Sequence, residues 1–476
     1  MNQDERTSDY FNTVKLIRQK YCNGASCSNG MVSEELLFNG IIRIMLDIRF
    51  IREHADDVQE NARRKGYDVA IPTLLERDAS RRSLQQKADE LREKRNDISS
   101  RMKGGRPSDD LIAEGRAIKE DLARLEADLR VVDDAFMTEL KKVPNMALAD
   151  VPVGYTEDEN VVAKKVGEPT TFDFEPKNHA EIASQRGWLD KERAAKVAGS
   201  RFAYLKGDLV KLQFAIIQFV MDKLSDQAFI DDIIRENNLN LSNKPFIPVL
   251  PPFMLRTELY DAMDRLEPRD DRYKIEGDDL WLQGSAEHVL GSMHADEIID
   301  EKDMPMRYIG YATSFRREAG TYGKDMEGFL RMHQFDKLEM ESLGVAEAGL
   351  DEHLFMVAIQ EKLMQLLEIP YQVLMKCTAD IGKPNARGVD IEAWLPGQGK
   401  YRETHTADYM TDYQARRLMT RVKREDGHLE LVHTNDATAL PLSRGPIAIL
   451  ENHQQEDGTV VVPAALRPYL GGRSVL

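Results

Sequence analysis

The chain is 476 residues long, enough for two or three domains that each bury a core. Apolar residues make up 42% and charged residues 31%, which suits a soluble globular protein with an extended, solvated helical part. There is no run of about 18 uncharged apolar residues to cross a membrane. The net charge of −17 argues against nucleic-acid binding by the surface as a whole, though a local basic face is enough for RNA.

Residues 1–44 contain Cys22-Asn-Gly-Ala-Ser-Cys27, show no sustained period, and lack the positive-then-apolar order of a secretory signal. They read as an upstream extension of unknown role, as an over-early start codon would produce. Cys22, Cys27 and Cys377 have no metal-ligand spacing and cannot build a disulfide framework, which fits a reducing cytoplasm.

Two long helices are predicted from about Leu74 to Val143. The first carries Leu84, Ala88, Leu91, Arg95, Ile98 and Met102. The second carries Leu111, Gly115, Ile118, Leu122, Leu125, Leu129, Val132 and Phe136. Both alternate steps of four and three, the 3.5-residue period of a coiled-coil seam. Between them, Lys103-Gly104-Gly105-Arg106-Pro107-Ser108-Asp109 reads as a helix stop followed by an N-cap, so the second helix turns back on the first. Pro144 ends this antiparallel arm. Its first helix is the more basic, with Arg77, Arg81, Arg82, Lys87 and Arg92 among its cations; the second is net acidic. Such charge is ordinarily a solvated surface, but an outward basic helix also suits the phosphate contacts that dominate affinity for RNA helices.

An acidic connector follows through Glu159, and then a mixed region. Strand-like runs at Phe246–Leu250, Leu280–Leu282, Tyr308–Tyr311 and Tyr371–Lys376 are interspersed with helical stretches at Leu209–Leu224 and Glu352–Leu367. That pattern predicts an α+β domain, a largely antiparallel sheet flanked by helices. Neither a Gly-x-x-x-x-Gly-Lys loop nor a Gly-x-Gly-x-x-Gly fingerprint is present, so a nucleotide is held some other way.

The strongest chemical signal is Phe315-Arg316-Arg317-Glu318-Ala319-Gly320 followed by Arg331-Met332-His333-Gln334-Phe335. Two guanidiniums can clamp triphosphate oxygens, a carboxylate can accept from an adenine amino group, and a phenyl ring can stack on the base. The order resembles motif 2 of class II aminoacyl-tRNA synthetases, in the version found in the bacterial-type seryl-tRNA synthetase family. The resemblance runs from about Met45 to Leu470. Pro248-Val-Leu-Pro251-Pro252 resembles motif 1, and Thr438-Ala-Leu with Ser443-Arg444-Gly445 resembles motif 3.

The resemblance implies three domains: an extension at 1–44, a tRNA-binding coiled-coil arm at 45–150 and a class II catalytic domain at 151–476. It implies a cytoplasmic homodimer, with motif 1 at the dimer interface and no membrane partner. The activity implied is formation of seryl-adenylate from ATP and L-serine, then transfer to tRNA(Ser), and to tRNA(Sec) where present, with the arm reaching the tRNA. ATP would be bound by Arg316, Arg317, Glu318, Arg331, Phe335, Arg444 and the segment Glu403, Thr404, His405 and Thr406. Arg316 and Arg444 would be the catalytic pair. Mg²⁺ would be held by Glu403 and Thr406. The Glu-x-His pairing of Glu403 with His405 could also suggest zinc, but it is a thin ligand set. Serine would meet Ser285, Ala286, Glu287, Arg316, Glu339 and Thr438. Aligned back from Arg444, the family's usual Asn falls at Asp436. Two other readings keep parts of this chemistry. One is a paralogue loading a non-tRNA acceptor, a class that typically lacks the arm. The other is a non-catalytic RNA-binding protein, which loss of Arg316, Glu318 or Arg444 would have favoured.

Overall fold

The computed structural model describes residues 46–103, 108–319 and 328–476. The 1–44 extension with Cys22 and Cys27, the Gly104–Pro107 part of the predicted reversal, and Gly320 of the arginine motif lie outside the described residues. The chain separates into two compact units, one spanning Ile44–Met146 and the other containing Ala147–Leu476.

The smaller unit is helical. Helix α1 (Ile48–Glu53) is capped by Asp47, whose carboxylate accepts from Arg49 N at 2.8 Å, and α2 (Ala55–Arg64) follows it. The arm is α3 (Ile71–Met102) with α4 (Asp109–Leu140), each 32 residues long. Ser108 caps α4, its hydroxyl accepting from Leu111 N at 3.3 Å. The seam runs where the 3.5-residue period puts it: Ala88, Ile98, Leu122, Leu129 and Phe136 are buried, and the other seam positions are half-buried except Arg95, which is exposed. Gly115 lies where a Cβ would come 3.2 Å from Met102 Cε, so the two helices pack closely at that level. At the base, Ile48, Ile51, Val58, Ala62, Ile71, Leu74, Phe136 and Leu140 form a separate apolar cluster. Beside it the buried Asp78 pairs with Arg52 at 2.8 Å and with Arg82 at 3.1 Å.

The larger unit is built on an eight-stranded sheet. Its strands are β1 (Val161–Val166), β2 (Ile247–Val249), β3 (Met306–Phe315), β4 (Gln334–Gly344), β5 (Tyr371–Met375), β6 (Arg387–Leu395), β7 (Lys400–Thr411) and β8 (His433–Pro441). Their order is β1-β5-β6-β7-β8-β4-β3-β2, and only the β2–β3 edge pair is parallel. The predicted strand at Tyr308–Tyr311 is the middle of the longer β3, and Phe246–Leu250 shortens to β2. Helices of this unit include α5 (Asp208–Ser225), α6 (Gln227–Glu236), α7 (Glu287–Leu290), α8 (Gly349–Leu366) and α9 (Arg444–Asn452).

Alternation on the strands decides what each face holds. On β8, Ala437 and Ala439 belong to the main apolar cluster, with Leu338 and Met340 of β4, Ala407 of β7, and Phe355, Ile359 and Leu363 of α8. Asn435 shares that face and donates to Gly349 O at 3.1 Å, at the start of α8. Asp436 and Thr438 therefore point the other way, away from the apolar layer. No helix among the described residues is long and apolar enough to cross a membrane.

Candidate active site

The face opposite α8 carries a polar band across β6, β7, β8 and β4, with an apolar cluster that includes Leu290, Tyr308, Ala312 and Leu343 beside it. Register places Glu339 of β4 opposite Thr438 of β8, and Glu341 opposite Asp436. It places Asp408 of β7 on the other side of Asp436, and Asp390 of β6 opposite Thr406. A short helix, α7, sits over this floor. Gly310 of β3 pairs with Glu339, and a Cβ there would lie 2.7 Å from Leu290 Cδ1. The missing side chain lets α7 settle onto the strand and brings Glu287 down to the floor. Carboxylate oxygens of Glu287, Glu339 and Asp436 all lie within 4.8 Å of one another. The Ser285 hydroxyl donates to Glu287 Oε2 at 3.5 Å, and Ala286 is fully buried behind it.

Crowded, dehydrated carboxylates resist ionisation. Burial pushes Glu339 up to about 7 even though Lys337 pairs with it. Burial, with the neighbouring carboxylates, puts Glu341 and Asp436 well above their ordinary values. Glu287 goes the other way: burial opposes its charge, but Arg265 and His288 hold it well below the usual carboxylate range. Burial pushes His288 down to about 4, so its ring is neutral, and its Nδ1 accepts from Gly284 N at 3.1 Å.

Arg316 joins this floor to the arginine motif. Its Nε donates to Gly284 O at 2.8 Å, and its guanidinium carbon lies 5.3 Å from the centre of the Phe335 ring. Beyond β3, Glu318 adopts φ +54°, a left-handed conformation, and its carboxylate pairs with Arg331. Arg201 donates to Glu318 O at 3.3 Å, and His333 N donates to Arg201 O at 3.0 Å. Arg316 N donates to His333 O at 2.9 Å, so this hairpin is fastened at several points. Arg316, Glu318, Arg331 and Phe335 thus gather around one hairpin. Arg317 turns aside: its Nε donates to Arg272 O at 3.0 Å, and its guanidinium lies over the Tyr273 ring at 5.0 Å.

At the far end, Arg444 opens α9. Its Nη1 lies 3.1 Å from Glu403 Oε1 and donates to Glu403 O at 2.9 Å. Partial desolvation works against the Glu403 charge, but Arg444, Lys376 and Arg316 outweigh it and hold the pKa below the ordinary value. Thr404 and His405 sit differently from Glu403 and Thr406 on this strand. A bulge at Thr404 breaks the alternation of β7, and His405 lies two residues from core-facing Ala407. The Thr404 hydroxyl donates to Ile391 O at 3.0 Å, and His405 Nδ1 lies 2.8 Å from that hydroxyl. Both side chains are buried, and burial pushes His405 down to about 3. They support the strand from below and present no side-chain ligand, which removes the Glu403–His405 zinc pairing. Glu403 and Thr406 remain on the site face. The Thr406 hydroxyl is buried without a hydrogen-bond partner among the described residues, and Asp390 lies beside it. An orphaned hydroxyl next to carboxylates is a hard oxygen set that fits Mg²⁺.

Several site groups carry no motif in the sequence: Arg265, Lys376, Asp390 and Asp408. Lys337 and Glu341 were within reach, because with Glu339 they form a charged period of two along β4, the mark of a strand with one polar face. Arg265 gives no such signal.

Family models match two stretches of the chain. Residues 45–147 match the seryl-tRNA synthetase N-terminal domain, and residues 272–453 match the tRNA synthetase class II core domain (G, H, P, S and T). A serine-tRNA ligase from Deinococcus radiodurans is 40% identical over 438 residues, covering 91% of this chain and 99% of that protein. The crystal structure of seryl-tRNA synthetase from Pyrococcus horikoshii complexed with ATP superposes with a TM-score of 0.81 at 36% identity, over 90% of this chain and 99% of the other. A cytoplasmic serine-tRNA ligase from Naegleria fowleri in complex with AMP superposes with a TM-score of 0.77 at 27% identity, covering 90% and 98%. With the arm, the class II core and relatives matched over nearly their full length, the chain belongs to the seryl-tRNA synthetase family of aminoacyl-tRNA ligases.

Proposed function

We propose that the polar face of the sheet is where this ligase forms seryl-adenylate, with serine over Glu287, Glu339 and Thr438 and ATP along the Arg316–Phe335 hairpin. The observation that carries the reading is the position of Arg316. It hydrogen-bonds the loop of the serine floor and stacks on the proposed adenine platform, so one guanidinium reaches both reactants. The serine carboxylate attacks the α-phosphorus, the bond to the β-phosphate oxygen breaks, and pyrophosphate leaves. No covalent help from the protein is needed. Two anions must be held together in line while developing charge is neutralised, which is positioning plus electrostatic work.

In this reading Phe335 stacks on adenine, Glu318 accepts from its amino group, and Arg331 and Arg444 hold the distal phosphates. Glu403 and Thr406 would hold Mg²⁺, which would neutralise charge on the phosphates. Glu339 accepts from the substrate ammonium and Thr438 meets its hydroxyl, with Ser285 and Ala286 shaping the wall. A pocket built to hydrogen-bond a hydroxyl rejects alanine, because its buried polar groups would otherwise go unpaired. The acceptor is tRNA(Ser), gripped by the α3–α4 arm, with tRNA(Sec) a second acceptor where it exists. Motif 1, at β2, forms a homodimer interface, and the enzyme works in the cytoplasm.

The test is serine-dependent exchange of pyrophosphate into ATP. Arg316→Ala is expected to lower it by about 10³-fold or more, the scale of losing a charge-stabilising donor. Exchange that survives in this variant overturns the assignment.

A further inference from the structure

The floor under the proposed serine site holds more carboxylates than one ammonium and one hydroxyl require. Glu287 comes from α7, Asp436 from β8, and Glu339 and Glu341 from β4, with Asp408 of β7 alongside. Both Asp436 oxygens are buried without a hydrogen-bond partner among the described residues. Lys337 and Arg316 act on Glu339, and a further cation answers Glu287 and Asp436 from outside the sheet. Arg265 lies in the loop after the helix Thr257–Ala262, and its side chain is 17% exposed. Its Nε is 2.8 Å from Glu287 Oε1, its Nη2 is 3.6 Å from Asp436 Oδ2, and Nη2 also donates to Asn385 Oδ1 at 3.2 Å. One planar guanidinium thus spans two carboxylates on different elements, a geometry a lysine point charge does not reproduce.

We propose that Arg265 and Asp436 act as one unit that sets the charge and aim of Glu287 beneath the serine ammonium, making Arg265 a positioning residue for amino-acid recognition. The inference rests on the serine-site reading above. Arg265 draws Glu287 toward β8 while Asp436 keeps the guanidinium from lying over Glu287 alone. If Arg265 is removed, Glu287 and Asp436 face one another without the cation they share, and they neutralise by taking up protons instead of receiving an ammonium. If Asp436 alone becomes Asn, the guanidinium loses the second carboxylate it spans and lies over Glu287 alone, masking the charge meant for the ammonium. Either loss weakens serine binding; losing both leaves Glu287 with neither the guanidinium over it nor the carboxyl that crowds it.

The experiment is steady-state exchange kinetics on the full chain, with thermal melts to confirm folding. Arg265→Gln and Asp436→Asn are each expected to raise KM for serine by about tenfold, while kcat and KM for ATP stay within about twofold. The double variant is expected to recover serine KM to within about threefold of the parent, a coupling that independent residues would not show. Unchanged serine KM in both single variants overturns the proposal, as do additive effects or an equal loss in KM for ATP. Should Arg265→Gln fail to fold, Asp436→Asn decides alone, with raised serine KM supporting the proposal and an unmoved value sinking it. Absence of serine exchange in the unaltered chain would instead defeat the serine-site reading, so the two failures are distinguishable.

Discussion

Glu339 carries the clearest electrochemical consequence. Its carboxyl is pushed from an ordinary 4.5 up to about 7, so in the free protein near neutrality a large fraction is protonated. Only the ionised form accepts from an ammonium. The profile of kcat/KM for serine, which reports the free enzyme, should therefore fall on its acid side with an apparent pKa near 7. Glu339→Gln should lower activity and flatten that limb; an unchanged limb would assign it to another group. The stability sign follows from the same shift. A folded-state pKa above the unfolded one favours the folded protein below about 4.5, and that contribution is lost as pH rises through about 7. Because serine offsets the cost of ionising this floor, its stabilisation of the protein in thermal melts should grow over that window.

Gly310 makes a steric argument at the same scale. A methyl at this position meets the Cδ1, Cδ2 and Cγ atoms of the buried Leu290 at 2.7 to 3.4 Å, with little room to yield. Gly310→Ala should cost about 1–3 kcal/mol, the usual range for overpacking. It should also raise KM for serine by lifting Glu287. Equal melting temperatures and equal KM in the two proteins would remove Gly310 as the seat of α7.

Among the elements, the arm was the easiest to read. Its seam, its limits and the Ser108 cap follow from a period of 3.5 and from turn residues, because each helix faces only the other and local spacing decides burial. Arg95 fell on the seam by count yet is exposed, as its long charged side chain can swing clear of the apolar line. The last turn of the seam also belongs to the base cluster through Phe136, which lies under the Arg81 guanidinium at 4.9 Å. Phe136→Ala should destabilise this unit by about 3–5 kcal/mol and leave exchange within about twofold, as judged by melts and the exchange assay. The sheet was harder. Thr404 and His405 belong by sequence to the segment proposed to meet ATP, but a bulge on β7 turns their side chains into the support layer, and bulges leave no reliable trace in composition. Arg265 was invisible for a different reason: its partners sit on α7 and β8, and only the closed fold brings them together.

For the whole molecule, the chemistry of activation and the reading of RNA are assigned to separate compact units. Deleting Arg77–Lys141 is therefore expected to spare pyrophosphate exchange and abolish charging of tRNA(Ser). Undiminished charging by the shortened chain would show that the arm is dispensable. The acidic total of −17 is no obstacle, since RNA needs only a local basic face and not a basic surface as a whole. The motifs of the catalytic unit could be read because nucleotide clamps need particular side chains in a particular order. The charge balance beneath serine could not, because it depends on which strands become neighbours.

Strand β8 gives its adjacent residues to opposite layers: Asn435 is tied to the start of α8, and Asp436 belongs to the proposed substrate floor. A slip of one position would exchange the two, pushing a carboxylate into the apolar layer and drawing the alanines up toward the ligand. This stretch can therefore change its preference for an amino acid by replacing side chains, whereas a single-codon insertion or deletion within it would scramble pocket and core at one stroke. Variation in this family's specificity should accordingly be written in β8 as substitutions at constant length.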